Sequence, residues 1–282
     1  AITALFAACA PKSNINGSIT DAEGKTIYLE HTALTATTLL DSAKLDAKGT
    51  FKFSVETPQY PDFYRIHLNN QFVVFALDSA TKNINITASA KDLNNATIEG
   101  SETSVEIQRL RNSNFELQHA AIEGDTAKVT KMLTSHKRLA QEIVLANPRS
   151  AAAYYAINQT INGAYYMTPY NKEDLPFWNA VATAWDLHYP EYERAIELKQ
   201  NVLLAISQQR NSQLSAQQLV ENITEEGFIE ISLPNRIGET TKLSNYIGKV
   251  VLIDFSAYAM EQAAAHTLFL RELYASYNEL GL

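Results

Sequence analysis

The hydrophobic and polar positions of this chain follow a two-residue period in its first third. From Ile15 to about Gly100, short apolar runs alternate with polar residues, most clearly in Thr50–Val55. Turn signals separate these runs at intervals of roughly 8 to 12 residues, a spacing typical of an antiparallel β-sandwich. The segments predicted as strands are Ile15–Ile19, Thr26–Glu30, Leu39–Leu45, Thr50–Val55, Phe63–Leu68, Phe72–Leu77 and Ile84–Ala88.

The period then changes to the three- and four-residue spacing of helices, from Thr103 to about Asn222. Ser150 is the predicted N-cap of one helix, and Asp174 that of a later one. Tyrosine and tryptophan are concentrated in this segment, from Tyr154 to Tyr192. We interpret these aromatic residues as the core of a helical domain, and a groove that binds peptides or glycans is the alternative interpretation.

The last stretch combines a strand pattern with a helix pattern. Val250–Phe255 is an apolar, β-rich run interrupted only by Asp254, which predicts a strand covered on both faces. A helical stripe of leucine and tyrosine follows, from Leu268 to Tyr277. The junction between the two, Ser256–Ala259, is where a strand–loop–helix fold places its chemistry.

This last stretch resembles the opening of thioredoxin-like proteins, in particular the membrane-associated thiol–disulfide oxidoreductases of bacteria. The matching pieces are Phe228–Asn235, Gly238, Lys242–Gly248 and the strand Gly248–Phe255. In that family the strand is followed by Trp-Cys-x-x-Cys, and the resemblance places Ala259 and Gln262 at the two cysteine positions. Disulfide exchange needs a thiolate at the start of the helix, where the helix dipole lowers the cysteine pKa. The resemblance therefore implies a redox-inactive site.

The family also has two further strands, a cis-proline and a closing helix. No proline follows Pro234, and the sequence ends at Leu282 soon after the helix pattern. We therefore expect the thioredoxin-like portion to be truncated here.

The first third also resembles a known domain. The pieces that carry this second resemblance, in order, are Gly24–Leu29, Asp41–Ala43, Asp46–Gly49 with Phe51 and Phe53, Phe63–Arg65, and Gly100–Ser101. They are similar to a domain of unknown function that precedes thioredoxin-like domains in Bacteroidetes lipoproteins. This resemblance implies a bacterial envelope protein.

The N-terminus and the charge balance narrow the location and the partners. Leu5–Cys9 resembles the bacterial lipoprotein box at the end of a signal peptide, which implies lipidation of Cys9 and a membrane anchor on the periplasmic side or in the outer membrane. The net charge of −8 argues against nucleic acid as a partner. Cys9 is the single cysteine, which excludes a cysteine-rich metal site, and the six histidines form no metal-binding motif. We expect no metal and no cofactor.

Together these patterns predict a multidomain α+β protein. Its predicted parts are a signal-peptide remnant with lipobox and tether (1–14), a β-sandwich domain of unknown function (15–100), a helical domain (101–224) and a partial thioredoxin-like α/β portion (225–282). The predicted function is that of a redox-inactive, envelope-anchored binding or scaffold module, with a protein partner expected at the thioredoxin-like portion. One alternative is a thiol–disulfide oxidoreductase or peroxidase-like enzyme whose reactive cysteine lies beyond residue 282. The other is peptide or glycan binding by the aromatic helical domain.

Overall fold

A computed structural model describes residues 11–161, 163–221, 228–235, 237–255 and 263–280. The chain divides into two compact units, Ala1–Gln209 and Arg210–Leu282. The predicted site positions Cys9, Ala259 and Gln262 lie outside the described residues. Among the helices that are described, none is long and apolar enough to cross a membrane.

The first unit begins with eight strands in two four-stranded sheets. The strands are β1 Lys12–Thr20, β2 Thr26–Thr32, β3 Thr37–Lys44, β4 Thr50–Glu56, β5 Asp62–Leu68, β6 Gln71–Leu77, β7 Asn83–Ser89 and β8 Asp92–Glu99. The first sheet has the order β4-β1-β7-β8 and the second the order β3-β2-β5-β6. Alternate residues of both sheets, such as Ile15 and Ile84 of the first and Ile66 and Phe75 of the second, bury their side chains in one shared apolar core. The β-rich N-terminal region is confirmed.

The strand directions differ from the prediction at one place. β1 pairs with β7 in parallel, from Asn14 opposite Asn83 to Thr20 opposite Ser89, so the expectation of a purely antiparallel arrangement is wrong there. The alternation of apolar residues shows which face of a strand is buried, and it carries no information about the direction of the neighbouring strand.

A glycine in the middle of β1 allows this pairing. A Cβ atom on Gly17 would lie 1.9 Å from the carbonyl oxygen of Ile86 on β7 and 2.7 Å from the ring of Phe51 on β4. Neither approach leaves room for a side chain, so the close contact of β1 with both neighbours depends on glycine at this position.

Five helices follow in the helical region that was predicted. They are α1 Glu102–Glu123, α2 Thr126–Ala146, α3 Ala151–Ile157, α4 Leu175–His188 and α5 Glu193–Glu221, with the short strands β9 Thr160–Ile161 and β10 Ala164–Tyr165 between α3 and α4. Ser150 caps α3 by accepting a hydrogen bond from the Ala153 amide, as predicted. Asp174 occupies the N-cap position of α4 but makes no cap bond, because its carboxylate pairs instead with Lys137 at 2.6 Å.

Helix α1 covers one of the two edges of the second sheet, the edge formed by β6. Ser104 of α1 both accepts a hydrogen bond from the Ala76 amide and donates one to the Ala76 carbonyl, each at 3.1 Å. Further along, Arg111 Nη2 donates to the Phe72 carbonyl at 3.0 Å. These bonds satisfy main-chain groups that an edge strand otherwise offers to another chain. The helical segment thus packs on the sheet, and Phe63 and Ala76 belong to the same core as the helical residues.

The second unit contains fewer described elements. These are a hairpin of β11 Ser232–Pro234 and β12 Thr240–Lys242, a 3₁₀ turn at Leu243–Tyr246, helix α6 Ala263–Tyr277 and a 3₁₀ turn at Asn278–Leu280. The helix lies where the stripe from Leu268 to Tyr277 predicted it.

The prediction of a buried strand at Val250–Phe255 is wrong. This segment does not form a strand, and its side chains are exposed, by 69% at Val250 and 88% at Phe255. An apolar run becomes a buried strand only when neighbouring strands pair with it. Within the described part of this unit, β11 and β12 pair with each other and not with this run. The thioredoxin-like part of the predicted fold is therefore not confirmed.

Candidate functional site

The strongest candidate site is a cavity on the outer face of the second sheet. It has a volume of about 340 Å³ and lies between that sheet and the helices α1, α3 and α5. The sheet forms its floor and the helices form its walls. The lining residues are Thr32, Phe63, Arg65, Phe72 and Val74 from the strands, and Arg111, Tyr154, Tyr155, Asn158, Gln159 and Arg194 from the helical segment.

Strand alternation places the floor residues. Tyr64 and Ile66 of β5 are buried in the core between the sheets, so Phe63 and Arg65 face the opposite side. The register of β5 with β6 sets Arg65 opposite Val74. A side of the sheet that would otherwise face solvent thus presents aromatic, aliphatic and cationic groups to the helices.

Arg194, at the start of α5, is the buried cation of the site. Its side chain is 7% exposed, and its guanidinium donates to the Tyr192 hydroxyl at 3.0 Å and to the Thr32 carbonyl at 2.5 Å. Its Nε lies 3.6 Å from Asp62 Oδ1, and the other oxygen of Asp62 lies 2.6 Å from His31 Nε2. Burial, together with the charge of Asp62, raises the pKa of Tyr192, which keeps that hydroxyl protonated. The contacts hold this guanidinium in one place.

Two further guanidinium groups face the ring of Phe72. The carbon centres of Arg65 and Arg111 lie 5.3 Å and 4.6 Å from the ring centroid. Arg65 pairs with Glu30 at 2.5 Å, and the other oxygen of Glu30 lies 3.2 Å from His67 Nδ1. For Arg111, by contrast, no carboxylate lies within 4.0 Å among the residues that the structure describes.

This cavity carries an excess of positive charge and contains amide groups that are held in place. Three arginines line it, and two carboxylates, Glu30 and Asp62, pair with them, which leaves one cation in excess in a chain of net charge −8. Asn158 and Gln159 are fixed at the end of α3, where their amide groups donate to the carbonyls of Tyr154 and Tyr155 at 2.9 Å and 3.2 Å.

A second cavity adjoins the first along α1. It has a volume of about 300 Å³ and shares Phe72, Arg111 and Tyr155 with the first cavity. Its other lining residues are mostly amides: Asn70, Gln71, Asn94, Asn114 and Gln118. Arg111 therefore lies where an aromatic cavity meets an amide-lined one.

Another cavity, of about 390 Å³, lies elsewhere in the first unit. Three carboxylates line it, Glu102, Glu106 and Glu142, and its arginine, Arg109, already pairs with Glu106 at 2.8 Å. The lining of this cavity therefore carries an excess of negative charge, and the charge of Arg109 is already neutralised by Glu106. We regard it as a solvated groove between helices.

The structure separates the aromatic residues into two groups. Trp178, Trp185 and Tyr192 are buried, which confirms for them the interpretation as a helical core. Tyr154 and Tyr155 contact that core and also line the cavity.

The sequence prediction did not include the three arginines of the cavity, since a single charge in an alternating strand or on a helix usually faces solvent. Among the described residues, no cluster of three or more histidine, cysteine or acidic side chains could hold a metal ion.

A buried histidine lies outside the cavity, between α1 and α2. His136 is fully buried, its Nδ1 lies 3.0 Å from Ser113 Oγ, and its ring is 4.4 Å from that of Tyr166. Burial lowers the pKa of His136 to about 4. The ring is therefore neutral at physiological pH.

Acidification should weaken the fold through this residue. The pKa of His136 in the folded protein lies below the ordinary value of 6.5, so the unfolded state binds more protons. The contribution of His136 to the free energy of unfolding is therefore complete when the pH is above the pKa of the unfolded state. That contribution is lost as the pH falls toward the pKa of the folded state. Lowering the pH from about 7.5 to about 5 should reduce the free energy of unfolding by about 2 kcal/mol through His136 alone. Urea titrations at both pH values measure this loss.

His136→Phe should remove most of that pH dependence, whereas His119→Phe on the exposed side of α1 should retain it. Equal pH dependence in both variants would show that His136 is not the source.

The comparisons with known proteins cover only the first part of this architecture. A family model described as "Domain of unknown function (DUF4369)" matches residues 13–106. A search of curated proteins found no match. The matched segment contains the eight strands and the first turn of α1, and so it includes the floor of the cavity, while the helical walls lie beyond it. The N-terminal third of this chain is thus similar to a domain family of unknown function, as the sequence predicted.

Proposed function

We propose that this chain is a non-catalytic binding module of the bacterial cell envelope, and that its first unit binds a compact peptide or glycan ligand in the cavity between the second sheet and the helices. The observation that carries the proposal is the lining of that cavity, where aromatic rings stand beside guanidinium and amide groups held in place. Ligand sites in proteins combine apolar surface with a few fixed polar groups in this way.

The polar groups of the cavity are ordered by the protein itself. Arg194 is fixed by Tyr192 and Thr32, and Asn158 and Gln159 by the end of α3. A ligand that binds to side chains already held in position avoids the entropic cost of ordering them. The rings of Phe72 and Tyr155 add apolar faces on which a sugar ring or a side chain can pack.

The β6 edge, which lies beside the cavity, is covered by α1, and this favours a compact ligand over an extended one at that place. Extended peptides commonly bind by adding a strand to a free sheet edge. Along β6, Ser104 and Arg111 already bond to main-chain groups of Ala76 and Phe72. A ligand on this part of the sheet is therefore expected to bind in the cavity and not along the β6 edge.

We expect a ligand from this class to raise the melting temperature of the protein. At a ligand concentration about 100 times the dissociation constant, binding stabilises the folded state by about 2.7 kcal/mol. Thermal-shift screening against short peptides and oligosaccharides, followed by calorimetry, measures this effect.

The variant Tyr155→Ala should lose the effect, because Tyr155 lines the cavity, whereas Tyr170→Ala, at an exposed tyrosine that does not line it, should keep it. Equal affinity of both variants for a ligand, or no stabilisation by either panel, would contradict the proposal.

The envelope location and the redox-inactive scaffold role are proposals that rest on sequence resemblance. Leu5–Cys9 supports a lipid anchor on Cys9, and Ala259 and Gln262 at the family's cysteine positions support redox inactivity. The intact mass of protein extracted from its native membrane tests lipidation. Disulfide-reductase activity that persists after Cys9→Ser would favour the oxidoreductase alternative instead.

A further inference from the structure

We infer that the ligand of this cavity carries a carboxylate, and that Arg111 of α1 is the residue that binds it. This inference rests on the proposed function and specifies its ligand class. The ligand is a compact acid, with the carboxylate at Arg111 and an apolar or hydroxylated body packed against Phe72 and Tyr155.

Arg111 has hydrogen-bonding capacity that the protein does not use. A guanidinium carries five N–H donors. Within the described part of the chain, its one hydrogen bond is from Nη2 to the Phe72 carbonyl, and its Nε is buried without a hydrogen-bond partner. A partly desolvated cation without a counter-charge is unfavourable, and a bound anion removes that cost.

The other two arginines of the cavity differ in this respect. Arg65 has Glu30 at 2.5 Å, and Arg194 has Asp62 at 3.6 Å. Their charges are balanced by the protein, so they serve to shape the cavity. Arg111 is the cation of this cavity for which the described residues supply no carboxylate, and the excess positive charge of the site is therefore located there.

The surroundings of Arg111 favour a planar anion. The ring of Phe72 lies 4.6 Å from the guanidinium carbon, a cation–π contact that helps to fix the guanidinium plane. A fixed guanidinium fork matches the two oxygens of a carboxylate. The cavities that meet at Arg111 have volumes of about 340 Å³ and 300 Å³. That space suits a ligand of one or two sugar or amino-acid residues.

Two sources of such a carboxylate are an acidic sugar and the C-terminus of a short peptide. Calorimetry with digalacturonate and with N-acetyl-dialanine represents the two sources. The neutral matched probes are a galactose disaccharide and the amide of the same dipeptide. We expect one of the acids to bind about tenfold or more tightly than its neutral counterpart, in the range found for hydrogen bonds to charged groups.

The variant Arg111→Gln should weaken binding of that acid about tenfold or more. Arg109→Gln is the matched control, because Arg109 lies on the same helix, is exposed and pairs with Glu106, and it should leave binding unchanged. Arg111→Lys, which keeps the charge without the fork, should give an intermediate loss. Circular dichroism and melting temperature check that each variant folds, and the comparison of acid with neutral probe on the unchanged protein does not depend on any variant.

The outcomes separate this inference from the proposed function. Neutral probes that bind as tightly as the acids, with binding lost in Tyr155→Ala, would overturn the role of the carboxylate and leave the cavity as a ligand site. An acid that binds Arg111→Gln as tightly as the unchanged protein would overturn the role of Arg111. Binding by none of the four probes would overturn the inference, and the broader panels above would then decide the proposed function.

Discussion

Replacing Arg194 by methionine should lower the free energy of unfolding of the first unit by about 3–5 kcal/mol. The substitution keeps most of the side-chain volume and removes the charge. Asp62, whose side chain is 17% exposed, then loses its cationic partner at 3.6 Å, and Tyr192 and the Thr32 carbonyl lose the donor that they share. Removing one member of a buried pair costs more than the pair itself contributes, because the remaining charge stays in a poorly solvated place.

The measurement is urea-induced unfolding followed by tryptophan fluorescence. Both tryptophans of the chain, Trp178 and Trp185, belong to the first unit, so the signal reports on that unit. The control is Lys199→Met, which breaks the exposed pair of Lys199 with Asp186 at 2.9 Å and should cost less than about 1 kcal/mol. If Arg194→Met were as mild as this control, the Asp62 pair would not stabilise the fold.

Replacing Trp185 by alanine should cost about 3–5 kcal/mol. Trp185 is fully buried on α4, and its ring stacks on Tyr154 at 4.6 Å and on Tyr192 at 5.9 Å. Alanine leaves a cavity at the centre of the helical core, and the surrounding rings can close it only in part. Since Tyr154 also lines the ligand cavity, the same variant should weaken ligand binding.

The control for this substitution lies on the same helix. Leu187 is 74% exposed, and Leu187→Ala should change stability by less than about 0.5 kcal/mol. Trp185→Phe, which keeps a ring in the stack, should fall between the two. Fluorescence of Trp178 still reports unfolding in both Trp185 variants, and similar midpoints for Trp185→Ala and Leu187→Ala would contradict the role assigned to the stack.

The sequence predicted most of the strands and helices, for a physical reason that also explains its failures. Alternation reports burial of one face, and it located seven of the eight strands. It missed β8, where Asn94 and Asn95 interrupt the pattern of Leu93, Ala96 and Ile98 with residues that favour turns. At Val250–Phe255 the composition indicated burial, but burial also requires partner strands, which composition does not report.

The candidate site depended on contacts that no local pattern contains. Arg65, Arg111 and Arg194 lie on β5, α1 and α5, and each is unremarkable within its own element. Their effect arises because α1 lies along the edge of β6 and because α5 begins beside Thr32. From the sequence, the tyrosines of α3 could belong either to the helical core or to a groove that binds a ligand. The structure shows that Tyr154 and Tyr155 contact the core and line the cavity together.

The parallel pairing of β1 with β7 has a consequence for synthesis of the protein. β1 lies inside its sheet, between β4 and β7, yet it is the first of the eight strands to leave the ribosome. Its register begins at Asn14 opposite Asn83, so the first sheet cannot close until β7 has been made. Contacts between residues so distant in sequence form slowly, whereas the neighbouring helices α1 and α2 can associate as soon as both have emerged. Until that point the edge of β1 that later pairs with β7 stays open in the growing chain, and an open strand edge can pair with other chains.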